Sequence, residues 1–421
     1  MQSARLWEFE LPLASVRPID SRIHPLARTV LLLVGFLVSS ACQRTPTLQH
    51  SNSDAGALAR IEQGLIPIDD SGADNGPLQS ISERMATLGV PGLSVAVFDE
   101  GRIIWARGYG IRDRSSGAAV DTNTLFQAAS ISKPVTSAAL FQLVEEGKLM
   151  LDEDVNERLR SWKVPENRFT QMEKVTPRRI ITHMAGLTVH GFAGYRKENP
   201  LPTVQQILNG VPPANSPPVR VDTIPGVRES YSGGGFTVLQ LLMEEVSGSP
   251  FKALMEELVL RPVGMPHSTF VQPLPSDLED QAATGYSRDG NPVEGRYHLY
   301  PELAAAGLWT TPSDLARFML AIGRSYRGES NGLLEESSAR TMLTKVPRGG
   351  GQGFGLSGEG EAFRYRHNGG NAGFTCYAVA FAGAGRGAIF MTNSDNGERL
   401  MHEVARAISR EYDWAPLWVR D

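Results

Sequence analysis

Cysteine is almost missing from this chain. Its 421 residues include only Cys42 and Cys376, which excludes a disulfide framework and leaves stability to packing. A dominant charge is missing as well. Lys and Arg number 41 against 46 Asp and Glu, a net charge of -5, which argues against a nucleic-acid partner held by counterion release. The eight histidines include no H-E-x-x-H pattern and the cysteines no paired spacing, so no metal and no cofactor are implied. There is no G-x-S-x-G, and with it goes the α/β-hydrolase elbow. Gly and Pro total 70 residues, roughly 17 % and below the ~25 % of low-complexity chains. Extended disorder is therefore not expected beyond the N-terminal region.

That region departs from globular composition. Residues 29–41 are nearly free of polar side chains and follow Arg22, His24 and Arg28. Thirteen residues fall short of the roughly 20 that span a bilayer, so residues 1–41 read as a signal peptide. The segment ends Ser39-Ser40-Ala41-Cys42, which resembles a bacterial lipoprotein processing site and implies a lipid on Cys42. The expected location is the periplasmic side of a bacterial membrane, the outer one because Gln43 follows, reached through this N-terminal lipid anchor. Simple secretion to the periplasm after cleavage near Ala41 is the alternative. Residues 42–76, rich in Ser, Asn, Asp, Gly and Pro, read as a flexible tether.

From residue 77 the chain reads as one catalytic domain. Residues 93–98 and 103–107 flank Asp99-Glu100-Gly101 as a hairpin, and residues 375–381 and 388–392 flank Gly383–Gly387 as another. A helix with Pro134 near its start and Gly147 at its end follows Ser132, and residues 398–412 carry Leu400, Met401, Val404, Ala407 and Ile408 on one helical face. The stretch of about 126–330 is mostly helical pattern and Pro-rich loop. The expected fold class is α/β plus an all-α lobe, with a helical lobe inserted into a sheet built from both ends of the chain.

Ser130-Ile131-Ser132-Lys133 lies where a loop enters the first long helix. The i,i+3 spacing puts a hydroxyl and an amine on one face, at a helix start that favours developing negative charge. A serine nucleophile with its own amine follows. Ser249-Pro250-Phe251-Lys252 has the same spacing, but there Ser reads as an N-cap with Pro at the first helical position. Gly353–Gly358 fits G-x-G-x-x-G without a helix after it, so it reads as a Gly-rich loop and strand. His183 reads as a hydrogen-bonded structural residue, and Thr311-Pro312-Ser313-Asp314 as a capped helix start.

Downstream of Ser130 stand Tyr231-Ser232-Gly233 and His367-Asn368-Gly369-Gly370. This ordered trio resembles the serine β-lactamase and penicillin-recognising superfamily, whose elements are S-x-x-K, a Tyr or Ser motif, and Lys or His followed by any residue and Gly. Residues 182–187, 307–315 and 391–394 are similar as well, and the Tyr form points to the class C β-lactamase, D-alanyl-D-alanine carboxypeptidase and family VIII esterase branch. The resemblance implies a β-lactamase/transpeptidase-like fold with an antiparallel sheet flanked by helices. It also implies Ser130 as nucleophile, Lys133 and Tyr231 as proton carriers, and the backbone N–H groups of Ser130 and Gly370 as oxyanion hole. His367, Asn368, Gly369 and Ser232 are then the substrate-binding residues. Free Lys and Tyr titrate near ~10.4 and ~10, so either must drop by about three units to act as a base at neutral pH.

Two positions depart from the pattern. Gly233 stands where relatives have an Asn amide, and His367 stands where many have Lys, so a fixed positive charge is missing there. The expected activity is that of a monomeric serine hydrolase forming an acyl-enzyme on a small-molecule or peptide substrate, of D-amino-acid peptide or β-lactam type. A short-chain carboxylesterase on the same site, or a slowly turning-over penicillin-binding sensor, are the alternatives.

Overall fold

The computed structural model describes residues 52–330 and 332–418, all in one compact unit; the segment read as a signal peptide, residues 1–41, and Cys42 lie outside them. The centre is a seven-stranded sheet. Its strands in chain order are β1 (Gly92–Asp99), β2 (Arg102–Asp113), β3 (Ala118–Ala119), β6 (Gly355–Ser357), β7 (Arg364–Asn371), β8 (Phe374–Phe381) and β9 (Arg386–Thr392). The spatial order is β3-β2-β1-β9-β8-β7-β6, with every pairing antiparallel. β4 (Phe126–Gln127) and β5 (Trp309–Thr310) form a separate two-stranded ladder.

The sheet is buried on both faces, because side-chain alternation sends one set to each. Leu93, Val95 and Val97 of β1 meet Val379, Phe381 and Phe390 in one core, together with α1 (Asn52–Gln63), α2 (Ile81–Leu88) and α6 (Gly397–Glu411). Ala96, Phe98, Ala378 and Ile389 point the other way into a larger core, shared with α3 (Ser132–Glu145), α4 (Gly233–Ser247) and α5 (Pro312–Tyr326). Thr311 caps α5 as its sequence indicates, its hydroxyl accepting from the Asp314 N–H at 3.2 Å.

Two boundaries need correction. From residue 52 the stretch read as tether is folded: α1 buries Leu58 and Ile61 against α6, and Arg60 pairs with Glu411 at 3.0 Å. Its polar composition hid three well-spaced apolar residues, Leu58, Ile61 and Leu65. Second, α5 lies within the span read as helical lobe but packs on β9, β1 and β8. It is a sheet-covering helix with a wide apolar face. The Ser249 N-cap reading also fails. The following helix, Phe251–Met255, begins after Pro250, and the Glu244 carboxylate accepts the Phe251 N–H at 2.9 Å.

Candidate active site

Ser130 sits in a short 3-10 turn, residues 129–131, that leads into α3. Ala129 before it is held at a φ of 49°, an uncommon conformation for a side-chain-bearing residue. The turn is framed from three sides. The Ala128 N–H donates to the Leu308 carbonyl at 2.9 Å, the Ser132 hydroxyl donates to the Ala129 carbonyl at 2.6 Å, and the Leu308 N–H donates back to Ser132 Oγ at 3.0 Å. β7 and β8 close the third side, and from β8 the Cys376 thiol, buried and with its pKa pushed up by that burial, donates to the Ala128 carbonyl at 3.1 Å.

Lys133 Nζ lies 2.9 Å from Ser130 Oγ and donates to the Ala305 carbonyl at 2.8 Å. The side chain is 2 % exposed. Burial lowers its pKa, because desolvation penalises the ammonium; the Tyr231 hydroxyl offsets part of that. Among the described residues no carboxylate is bonded to it. The Nζ also lies 4.9 Å from the centre of the Tyr231 ring.

Tyr231 is held by His183. The His183 ring packs against Tyr231 at 4.2 Å between centroids, tilted by 35°, its Nδ1 accepts the Ser232 N–H at 3.1 Å, and its carbonyl accepts the Ser230 N–H at 2.7 Å. An Nδ1 that accepts leaves the ring proton on Nε2. Burial, then the charges of Lys133 and His367, push the His183 pKa well down, so the ring is neutral. Its structural reading was right in kind, but its position against Tyr231 was not visible in the sequence.

Ser232 must be removed from the substrate-binding set. The residue is 4 % exposed, and its hydroxyl donates to the Thr188 carbonyl at 2.8 Å and accepts the Gly235 N–H at 2.9 Å as the N-cap of α4. Both capacities are used inside the fold. At Gly233 an added Cβ would lie 3.0 Å from the Phe192 ring and 3.2 Å from the His190 carbonyl. Phe192 thus crowds the space into which a side chain would grow.

His367, Asn368, Gly369 and Gly370 lie together on β7, facing a cavity of about 590 Å³ shared with Ser130, His183 and Tyr231. His367 Nδ1 donates to the Asn368 carbonyl at 2.6 Å. Gly369 is not a contact residue in the usual sense. A Cβ there would collide with the Ala128 carbonyl and the Cys376 sulfur, so the glycine lets β7 press against the Ser130 turn. Gly370 opens into free space instead. β6 pairs only with residues 364–366 of β7, so no strand of the sheet covers β7 on this side from His367 onward.

Several participants escaped sequence reasoning. Asn371 donates to Gln127 Oε1 at 2.9 Å and to the Ala306 carbonyl at 3.2 Å, tying the end of β7 to both sides of the Ser130 turn. Glu229 and Glu398 also line the cavity. The Tyr231 motif lies only two residues from Glu229, which is the one available signal.

Comparison with known proteins bears on the family and the fold. The Beta-lactamase family model matches residues 79–412. Protein Rv1367c of Mycobacterium tuberculosis is 27 % identical over 305 residues, 63 % of this chain and 74 % of that protein. Unguisins hydrolase ungD of Aspergillus violaceofuscus is 27 % identical over 284 residues, 62 % of this chain and 47 % of the fungal one. Among solved structures, the octameric penicillin-binding protein homologue of Pyrococcus abyssi superposes with a TM-score of 0.66 at 25 % identity, covering 80 % of this chain and 76 % of that one. The D-alanine carboxypeptidase AmpC of Burkholderia cenocepacia gives 0.62 at 19 % identity, covering 78 % and 95 %.

Proposed function

Since the chain belongs to the Beta-lactamase family, we propose that it is a serine hydrolase whose Ser130 is acylated by an amide or ester substrate and then deacylated by water. The observation that carries this is the buried Lys133 amine 2.9 Å from Ser130 Oγ, with its pKa lowered by burial. A neutral amine has one lone pair and two N–H bonds. One N–H is held by the Ala305 carbonyl, which leaves the lone pair for the Ser130 proton. Ser130 Oγ attacks the substrate carbonyl, the oxyanion is met by the Ser130 and Gly370 N–H groups, and Tyr231 relays the proton to the departing amine or alcohol as its bond to the acyl carbon breaks. Water then repeats the sequence on the acyl-enzyme, returning the proton to Ser130.

Amide substrates of D-amino-acid peptide or β-lactam type are the favoured class, supported by the likeness to a protein described as a D-alanine carboxypeptidase. A short-chain ester is the second reading. It is favoured by Gly233, where Phe192 stands in the way of any orienting amide, and by an imidazole in place of a permanent cation at His367. Purified wild type, Ser130→Ala and Ser249→Ala, incubated with a fluorescent penicillin and a 4-nitrophenyl ester, decide the matter. Ser130→Ala is expected to lose labelling and turnover, and Ser249→Ala to keep both. Activity retained in Ser130→Ala would overturn the assignment.

A further inference from the structure

Beside Glu229 and Arg366, the cleft is lined by Glu398, a charge that acylation does not use. Glu398 stands exposed in the first turn of α6 and lines the same cavity as Ser130, Gly370 and Thr375. An acid in a first helical turn ordinarily needs no explanation beyond the helix dipole. This one opens into the catalytic cleft, and its position is fixed by close packing. Gly397 beside it lies so near Thr375 and Thr392 that a Cβ would collide with both hydroxyls, and Thr375 is the strand partner of Gly370. Among the described residues no hydrogen bond or ion pair engages the Glu398 carboxylate, and the neighbouring Arg399 is paired with Asp70.

The chemistry orients a substrate across this arrangement. The leaving group must meet the proton carried by Lys133 and Tyr231, which belong to the wall built by α3 and the start of α4. The acyl portion then extends along the other wall, past Gly370 and Thr375, where Glu398 stands. His367 is three residues back along β7 from Gly370, about 10 Å of strand, whereas Glu398 follows Gly397, which packs on Thr375, the partner of Gly370. We propose that Glu398 selects acyl donors bearing a cationic amine, so that the substrate presents an unblocked ammonium beyond the bond that is cleaved. This rests on Ser130 being the nucleophile.

The test compares kcat/KM for D-alanine benzyl ester and N-acetyl-D-alanine benzyl ester at mildly acidic pH, where the free amine is protonated, with 4-nitrophenyl acetate as an uncharged reference. Wild type is expected to prefer the free amine, and Glu398→Gln to cut that preference about ten-fold. Glu398→Lys should turn the preference toward an N-succinyl ester, and added salt should shrink the wild-type preference. A preference that is the same in wild type and Glu398→Gln, or a wild type that favours the acetylated ester, overturns the proposal. Absence of turnover on every ester together with absence of Ser130 labelling sinks the hydrolase reading itself, and this one with it.

Discussion

Replacing Gly369 by Ala tests how the Ser130 turn and β7 are held together. The new Cβ would fall about 1 Å inside ordinary contact with both the Ala128 carbonyl and the Cys376 sulfur. The sulfur can rotate away, but a backbone carbonyl cannot. The movement therefore falls on the main chain two residues before Ser130 and one residue before Gly370, the two N–H donors proposed for the oxyanion. Overpacking of this kind costs roughly 1–3 kcal/mol of stability, while a misplacement near 1 Å at reacting groups costs on the order of 100-fold in rate. The expected result is a protein that still melts cooperatively, a few degrees lower, with ester turnover down about 100-fold. Thermal melts and 4-nitrophenyl ester kinetics measure the two effects separately. Gly383→Ala, at a distant turn with open space around it, should change neither. A Gly369→Ala enzyme with a lowered melting point but wild-type kcat would refute the argument that this contact spaces the two donors.

Lys133→Ala and Tyr231→Phe should each lose at least ~100-fold in turnover, with the double variant barely worse than the singles, because two carriers on one proton path act as a unit; an additive double variant would separate their roles. The kcat/KM profile should be high at neutral and alkaline pH and fall as pH drops through the lowered Lys133 pKa, since only the neutral amine accepts the Ser130 proton; a rate that rises toward acid would contradict this. His183→Gln should lower kcat by roughly ten-fold or more with little effect on KM, because it loosens Tyr231 rather than a substrate contact; a change confined to KM would refute it. Glu302 is fully buried, with Oε2 unpartnered and its pKa raised by burial to about 7. Its unfolded carboxyl ionises first, so folding stability should fall by about 3 kcal/mol between roughly pH 4.5 and 7 and then level off. Glu302→Gln should remove that slope in denaturant titrations, and an unchanged slope would show that Glu302 does not carry it.

The parts of the site that were legible in sequence are those set by local geometry or by a motif of several residues. Ser130 and Lys133 are one helical turn apart, so their meeting is fixed before any tertiary contact forms. Tyr231 and His367 are distant in the chain, and only the ordered trio of motifs joined them to Ser130. What stayed hidden depends on loops meeting loops. His183 grips the chain on both sides of Tyr231 across nearly fifty residues, and nothing periodic marks such a contact. Ser232 was misread because a hydroxyl beside a functional Tyr looks the same in sequence whether it faces a substrate or caps a helix. The lobe of α5 was misjudged for a similar reason, since an apolar helical face does not say whether a sheet or another helix will cover it.

The strand order has a consequence for when the proposed active site comes into being. Ala128 and Cys376 meet across 248 residues, and β1 is flanked by the last strand of the chain. A nascent polypeptide that has emerged as far as α5 already holds Ser130, Lys133 and Tyr231, yet it lacks β7 and therefore Gly370. Half of the proposed oxyanion support arrives only with Gly370, some 240 residues after Ser130, and the sheet that positions it waits for β9. Under the proposed mechanism the site is therefore incomplete until β7 to β9 have been made, and it assembles in one late step.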